Sequence, residues 1–214
     1  MKKMLLLIIA VSLMTSCHFN TRVAGKLRGI EGYLAERPDS ALTELEEIRE
    51  KELSRSRSKA KYALLYSMAL DKNYIDTADD SLINIAVGYY KDKGPPKDRM
   101  LAYYYLGRVY QNGGNYTQAI VAFTNALDNA EYVNDIFYKG LIYRGLADIY
   151  GLTFNRMEKL RYRQLEYDAF VEAGATRHTD FAINQLASSY TEIHNFEKGG
   201  EYYNQAIEIA KEKR

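Results

Sequence analysis

Apolar and polar positions alternate with helical spacing in ten stretches of this chain: roughly 22–36, 39–51, 56–71, 79–93, 97–112, 116–131, 135–152, 156–173, 178–193 and 196–212. No stretch of useful length alternates at a period of two, as a half-buried strand would. Only three prolines occur, and all of them punctuate. Pro38 lies between two amphipathic stretches, and Pro95 and Pro96 follow Gly94. A glycine after a helix with proline beyond it is a stop signal, and Gly174 marks another. The pattern predicts an all-α chain.

A second periodicity lies over the first. Tyr110, Tyr150 and Tyr190 stand 40 residues apart, ending Leu-Gly-Arg-Val-Tyr, Leu-Ala-Asp-Ile-Tyr and Leu-Ala-Ser-Ser-Tyr. Five residues after each comes Asn115, Asn155 or Asn195. Self-similarity at such a fixed spacing predicts a stacked array. The asparagines fall where the second helix of each pair begins, where a side-chain oxygen accepts a bond from a free backbone amide. Gln118 and Glu158 follow three residues later, as in a capping box. Lys198 holds that place after Asn195, which predicts a weaker third cap.

Residues 100–131 resemble a tetratricopeptide repeat. Tyr103, Leu106, Gly107 and Tyr110 occupy the signature places of the first helix, and Tyr116, Ala119, Phe123 and Ala126 those of the second. Residues 140–173 keep Tyr143, Leu146, Ala147 and Tyr150 but place Lys159, Arg163 and Glu166 where small, aromatic and small residues are expected. Residues 180–212 keep Leu186, Ala187, Tyr190, Phe196, Tyr203 and Ala206, with Ile183 and Gly199 as departures. Residues 60–93 read as a degenerate repeat with a longer loop, Asp71–Ala78, and 22–51 as an earlier pair. The resemblance implies a right-handed α-solenoid of about five antiparallel helix pairs. Its repeat domain spans 22–214, with units near 22–51, 56–93, 97–131, 135–173 and 178–212. The twenty tyrosines fit packing between helices, with hydroxyls reaching the surface.

The amino terminus has a different logic. Lys2 and Lys3 precede an apolar run, Met4–Met14, too short to span a bilayer. Met14-Thr15-Ser16-Cys17 resembles the lipobox of bacterial lipoproteins, with Met where leucine is usual. This reading predicts a signal peptide at 1–16, lipid attachment at Cys17 and a tether at 17–21. Cys17 is the sole cysteine, so no intramolecular disulfide forms. Losing Lys2 and Lys3 takes the formal net charge from +1 to −1. That balance argues against nucleic acid as a partner. With no acidic cluster after Cys17, the expected location is the bacterial envelope, facing the periplasm.

Chemistry-bearing motifs are scarce. His18, His178 and His194 lack a second ligand at helical spacing, and no nucleophile elbow or phosphate loop occurs. The expectation is no enzyme activity, no cofactor and no metal. Ser54-Arg55-Ser56-Arg57-Ser58-Lys59 is basic and serine-rich, and reads as a linker entering a helix. Transferring the lining positions of the tetratricopeptide groove gives Leu64, Met68, Tyr104, Arg108, Asn112, Arg144, Asp148, Asn184 and Ser188. These imply a surface for a protein or peptide segment. Three readings follow from resemblance. The first is a lipid-anchored interaction scaffold, similar to the N-terminal repeat half of larger membrane-bound regulators. The second is a component of an outer-membrane or pilus assembly machine. The third, disfavoured by length and absent tryptophan, is a glycan-binding accessory protein of the SusD-like kind.

Overall fold

The computed structural model describes residues 22–212. The expected signal peptide and lipidated Cys17 lie outside them. Among the described residues every regular element is helical. The helices are α1 (22–33), α2 (Pro38–Glu46), α3 (Ser56–Lys72), α4 (Ser81–Tyr90) and α5 (Pro96–Asn112). They continue with α6 (Tyr116–Ala130), α7 (Ile136–Leu152), α8 (Arg156–Glu172), α9 (Thr176–Glu192) and α10 (Phe196–Glu212).

Several boundaries differ from the sequence reading, α1 among them, which ends at residue 33 rather than 36. The stretch expected at 39–51 ends at Glu46 and is followed by a 3-10 turn at Glu50–Glu52. The one expected at 79–93 is the shorter α4, which starts where the Asp79 carboxylate accepts the backbone N–H of Ser81 at 2.9 Å. That bond holds the Asp79 carboxyl below the usual range. α9 begins two residues early, because the turn at Gly174 (φ +63°) leads into the helix at once.

The 40-residue period has a backbone cause. After α5 the N–H of Asn115 bonds the carbonyl of Tyr110 at 2.9 Å, and that of Gly114 bonds Gln111 at 3.1 Å. These two bonds define a Schellman stop, which needs one residue at positive φ. The same pair recurs at Asn155/Phe154 and Asn195/His194, and one period earlier at Ile75/Tyr74. The positive-φ residues are therefore Tyr74 (58°), Gly114 (72°), Phe154 (59°) and His194 (63°). Glycine sits at only one of the four. Each asparagine then caps the next helix. Asn115 accepts from the Gln118 N–H at 3.5 Å, Asn155 from Glu158 at 3.3 Å and Asn195 from Lys198 at 3.2 Å. The third cap, expected to be weaker, has the shortest bond. The Glu158 carboxylate turns instead to Arg161, at 3.2 Å.

The helices divide into two compact units, one ending at Tyr105 and the other beginning at Leu106. In the first, Val23, Leu27, Ile30 and Leu34 form one face of α1 and its extension. They meet Ala41 and Leu45 of α2, then Ile48 and Leu53, and Leu65 and Ala69 of α3. In the second, Phe123 of α6 is fully buried, lying against Gly107 and Gly145. A Cβ on either glycine would stand 2.6 Å from the ring. Phe170 of α8 lies against Gly140 of α7 in the same way, at 2.7 Å. Glycine at these places lets each ring fill the space between helices. Burying one such ring contributes about 2–3 kcal/mol. Tyrosines repeat the device half-exposed: Tyr150 stacks on Tyr162, and 40 residues on Tyr190 stacks on Tyr202, both at 5.5 Å between centroids.

Candidate functional site

The surface expected to bind a partner starts on α7. Arg144 and Asp148 stand one turn apart there, and α8 runs antiparallel beside them carrying Arg163 and Glu166. A helix this crowded normally buries apolar residues, but Glu166 is fully buried and Arg163 is 4% exposed. They are tolerated because they hold each other. Arg163 Nη1 donates to Glu166 Oε2 at 2.6 Å, and Arg163 Nη2 donates to the Asp148 carboxylate. Arg144 Nε donates to Glu166 Oε1 at 2.6 Å. The result is a chain of alternating charge, Asp148–Arg163–Glu166–Arg144. Burial alone would lower the Arg163 pKa, but the charges of Asp148 and Glu166 outweigh it and raise it. Burying ions is costly unless both partners are present with good geometry, which this network supplies.

The network reaches α9. Arg144 Nη1 lies 3.2 Å from His178 Nδ1, and its guanidinium covers the rings of Phe170 and Phe181, each at 4.9 Å. His178 in turn meets Phe137 and Phe170 edge-on and tilted, at 5.0 and 4.8 Å. Arg144 Nη2 and Arg163 Nε are buried without a hydrogen bond. Arg144 is therefore a fastener between α7, α8 and α9. Its guanidinium is engaged with the protein rather than offered to a ligand carboxylate.

The remaining expected residues separate by exposure. Leu64 and Tyr104 are 1% and 5% exposed, so neither offers surface to a partner. Their apolar faces turn inward because the lining register transferred from the family falls on the core side of α3 and α5. Met68 packs against the core of the first unit. Arg108 is half-buried and donates to Gln111 Oε1 at 3.0 Å. Asn112 and Asn184 are exposed and Ser188 is half-exposed. Asn184 uses its Nδ2 on the Asp180 carbonyl, at 2.8 Å, and leaves its oxygen outward. In the second unit the structure thus brings Arg144 against the first two turns of α9, the helix that carries Asn184 and Ser188.

Sequence reasoning did not mark the turn positions. Tyr74, Phe154 and His194 are exposed, the first two at 93% and 85%. Leu152, Met157 and Phe196 beside the later turns are also open to solvent. The signal was present in the residue that precedes each asparagine, where only Gly114 is a glycine. Among the described residues no group of three His, Cys, Asp or Glu is placed to hold a metal ion, and no helix is long and apolar enough to cross a membrane.

No protein-family model and no curated protein matches the chain. Solved structures do. BtubC (BKLC) of P. vanneervenii is similar over 96% of this chain and 87% of its own, at 12% identity and a TM-score of 0.68. The nearly identical TPR-like repeats assigned to a kinesin light chain of Podosopora anserina match 91% of this chain and 97% of their own, at 14% identity and TM-score 0.66. A Rap protein complexed with Competence and Sporulation Factor matches 93% of this chain but 55% of its own length, at 18% identity and TM-score 0.59. The fold is a tetratricopeptide-like α-solenoid.

Proposed function

We propose that this chain is a non-catalytic protein-interaction scaffold of the bacterial envelope, anchored by lipid on Cys17 and facing the periplasm. It takes a protein segment on the face that carries Asn112, Asn184 and Ser188, with Arg108 at its margin. The observation that carries this reading is the α7–α8–α9 network. It ties α7, α8 and α9 together with buried charge, while Asn184 on α9 keeps its side-chain oxygen in solvent and Asn112 on α5 is exposed. Exposed polar groups on helices already held in place suit recognition of an extended backbone, since little ordering remains to be done on binding. The similar Rap structure is itself a complex.

The test is site-specific photocrosslinking in native membranes, from Asn112 and Asn184 and from Glu201 on α10 as control. The expected result is a protein adduct from the first two positions only. Equal adducts from all three would contradict the reading.

A second reading has one observation in its favour. The turns after α7 and α9 expose Leu152, Phe154, Met157 and Phe196, more apolar surface than a freely soluble turn needs. A component of an envelope assembly machine would cover it permanently. Co-purification of one stoichiometric outer-membrane or secretin partner, lost on Phe154→Ser, would favour that role.

A further inference from the structure

A basic cavity lies within the first unit. It is open, about 270 Å³ in volume, and is lined by Ala24, Leu27, Arg28, Arg55, Arg57, Ser58 and Lys61. Four of these are cationic and none is acidic. Lys61 is already committed, bonding Glu31 and Asp98 at 3.0 Å each. Arg28, Arg55 and Arg57 make no ion pair among the described residues, so their charge is unmatched.

Helix α3 points its first turn at the same place. Its N-cap is Arg55, in extended backbone, and no side chain caps the free amides that follow. Seventeen residues of aligned peptide dipoles stand behind that end. Ser58, in the first turn, is the independent sign of a ligand. It is 7% exposed, it lines the cavity, and its hydroxyl makes no hydrogen bond among the described residues. What remains open of Ser58 faces the cavity it lines, so its hydroxyl is free to donate to an oxygen that enters there.

We propose that this cavity binds a phosphate-type oxyanion, gripped by Arg28, Arg55 and Arg57 and by the Ser58 hydroxyl at the start of α3. Guanidinium groups and free amides together suit an oxygen-rich dianion better than a single carboxylate. Ala24 and Leu27 supply an apolar wall for the organic part of a phosphate ester. Two sources share this chemistry: free phosphate and the headgroup of an anionic phospholipid.

The experiment uses the full chain in a Cys17→Ser background, which removes acylation. Binding of inorganic phosphate is measured by calorimetry, and binding to phosphatidylglycerol against phosphatidylcholine vesicles by flotation. Arg28→Gln/Arg57→Gln is expected to weaken binding by roughly tenfold or more with unchanged melting, and Ser58→Ala by a few-fold. The charge-matched control, Lys51→Gln/Lys91→Gln, is expected to bind as wild type does. A loss read with phosphate assigns the free ion, and one read only with phosphatidylglycerol assigns the headgroup. Either supports the site. The proposal is overturned if neither probe distinguishes the arginine variant from wild type, or if the control loses as much.

Discussion

Arg144 on α7 bonds Glu166 on α8 at 2.6 Å, and not Asp148 one turn along its own helix. Asp148 is held by Arg163 instead. A residue whose spacing suggests a ligand grip is thus a structural tie, and its partner is the one carboxylate in the network that is fully buried. Consequences for stability follow from which end of the chain of charges is cut.

Glu166→Gln leaves Arg144 and Arg163 without their shared anion. Breaking a buried pair from one side costs about 3 kcal/mol. Urea denaturation should show that loss. The double variant Arg163→Phe/Glu166→Ala installs the aromatic and small residues of the repeat pattern and should recover most of it. Equal losses in single and double variants would mean the network is not what holds α8.

Phe154 occupies a left-handed backbone position that Gly114 fills one period earlier. An L side chain there costs about 1 kcal/mol. Phe154→Gly should raise the melting free energy by roughly that amount, although it removes a large apolar ring. Gly114→Ala should lower it comparably, since a Cβ there meets nothing within 4 Å and only backbone strain is added.

Phe123 fills the space that Gly107 and Gly145 leave. Gly145→Ala should destabilise by about 2 kcal/mol through overpacking, and Phe123→Ala by about 3 kcal/mol through the cavity. Combined, the two should cost less than their sum, because the small side chain relieves the clash. Ala126 is fully buried on the same helix, and Ala126→Glu should abolish cooperative melting.

Several tyrosine hydroxyls are pushed above their ordinary pKa, first by burial and then by neighbouring charge or phenol. Tyr62, Tyr143, Tyr150 and Tyr202 are among them, and Tyr90 is shifted furthest, beside Asp98. A phenol that holds its proton more tightly when folded stabilises the fold below its unfolded pKa of about 10. That contribution disappears as pH rises through the folded value. Tyrosinate absorbance should therefore lag above pH ~10 and then rise together with loss of helix. A smooth titration with the helices intact would contradict the packing described.

Much of this architecture is legible in the residues. The helical spacing, the stops at Gly94 and Gly174, and the asparagine caps are local, and backbone sterics and hydrogen bonds decide them within a few residues. The 40-residue period is visible for the same reason, being one stop and one cap repeated. What escapes the sequence is pairing across helices. Arg163 and Glu166 stand out as departures from the repeat, but nothing along the chain says that they join each other, Arg144 and Asp148. Leu64 and Tyr104 are buried because the lining register transferred from the family falls on the core side of α3 and α5. Asn112 and Asn184 are exposed and Ser188 half-exposed, as short polar residues at helical spacing rarely belong to a core.

The most direct test of the scaffold reading compares two variants in one binding assay, with a partner identified by crosslinking from Asn184. Asn112→Ala/Asn184→Ala should melt like the wild type and weaken partner binding by about tenfold or more, the scale of two lost hydrogen bonds. Arg144→Ala should do the reverse first, lowering stability before affinity. Undiminished binding by the asparagine variant, with folding intact, would contradict the account.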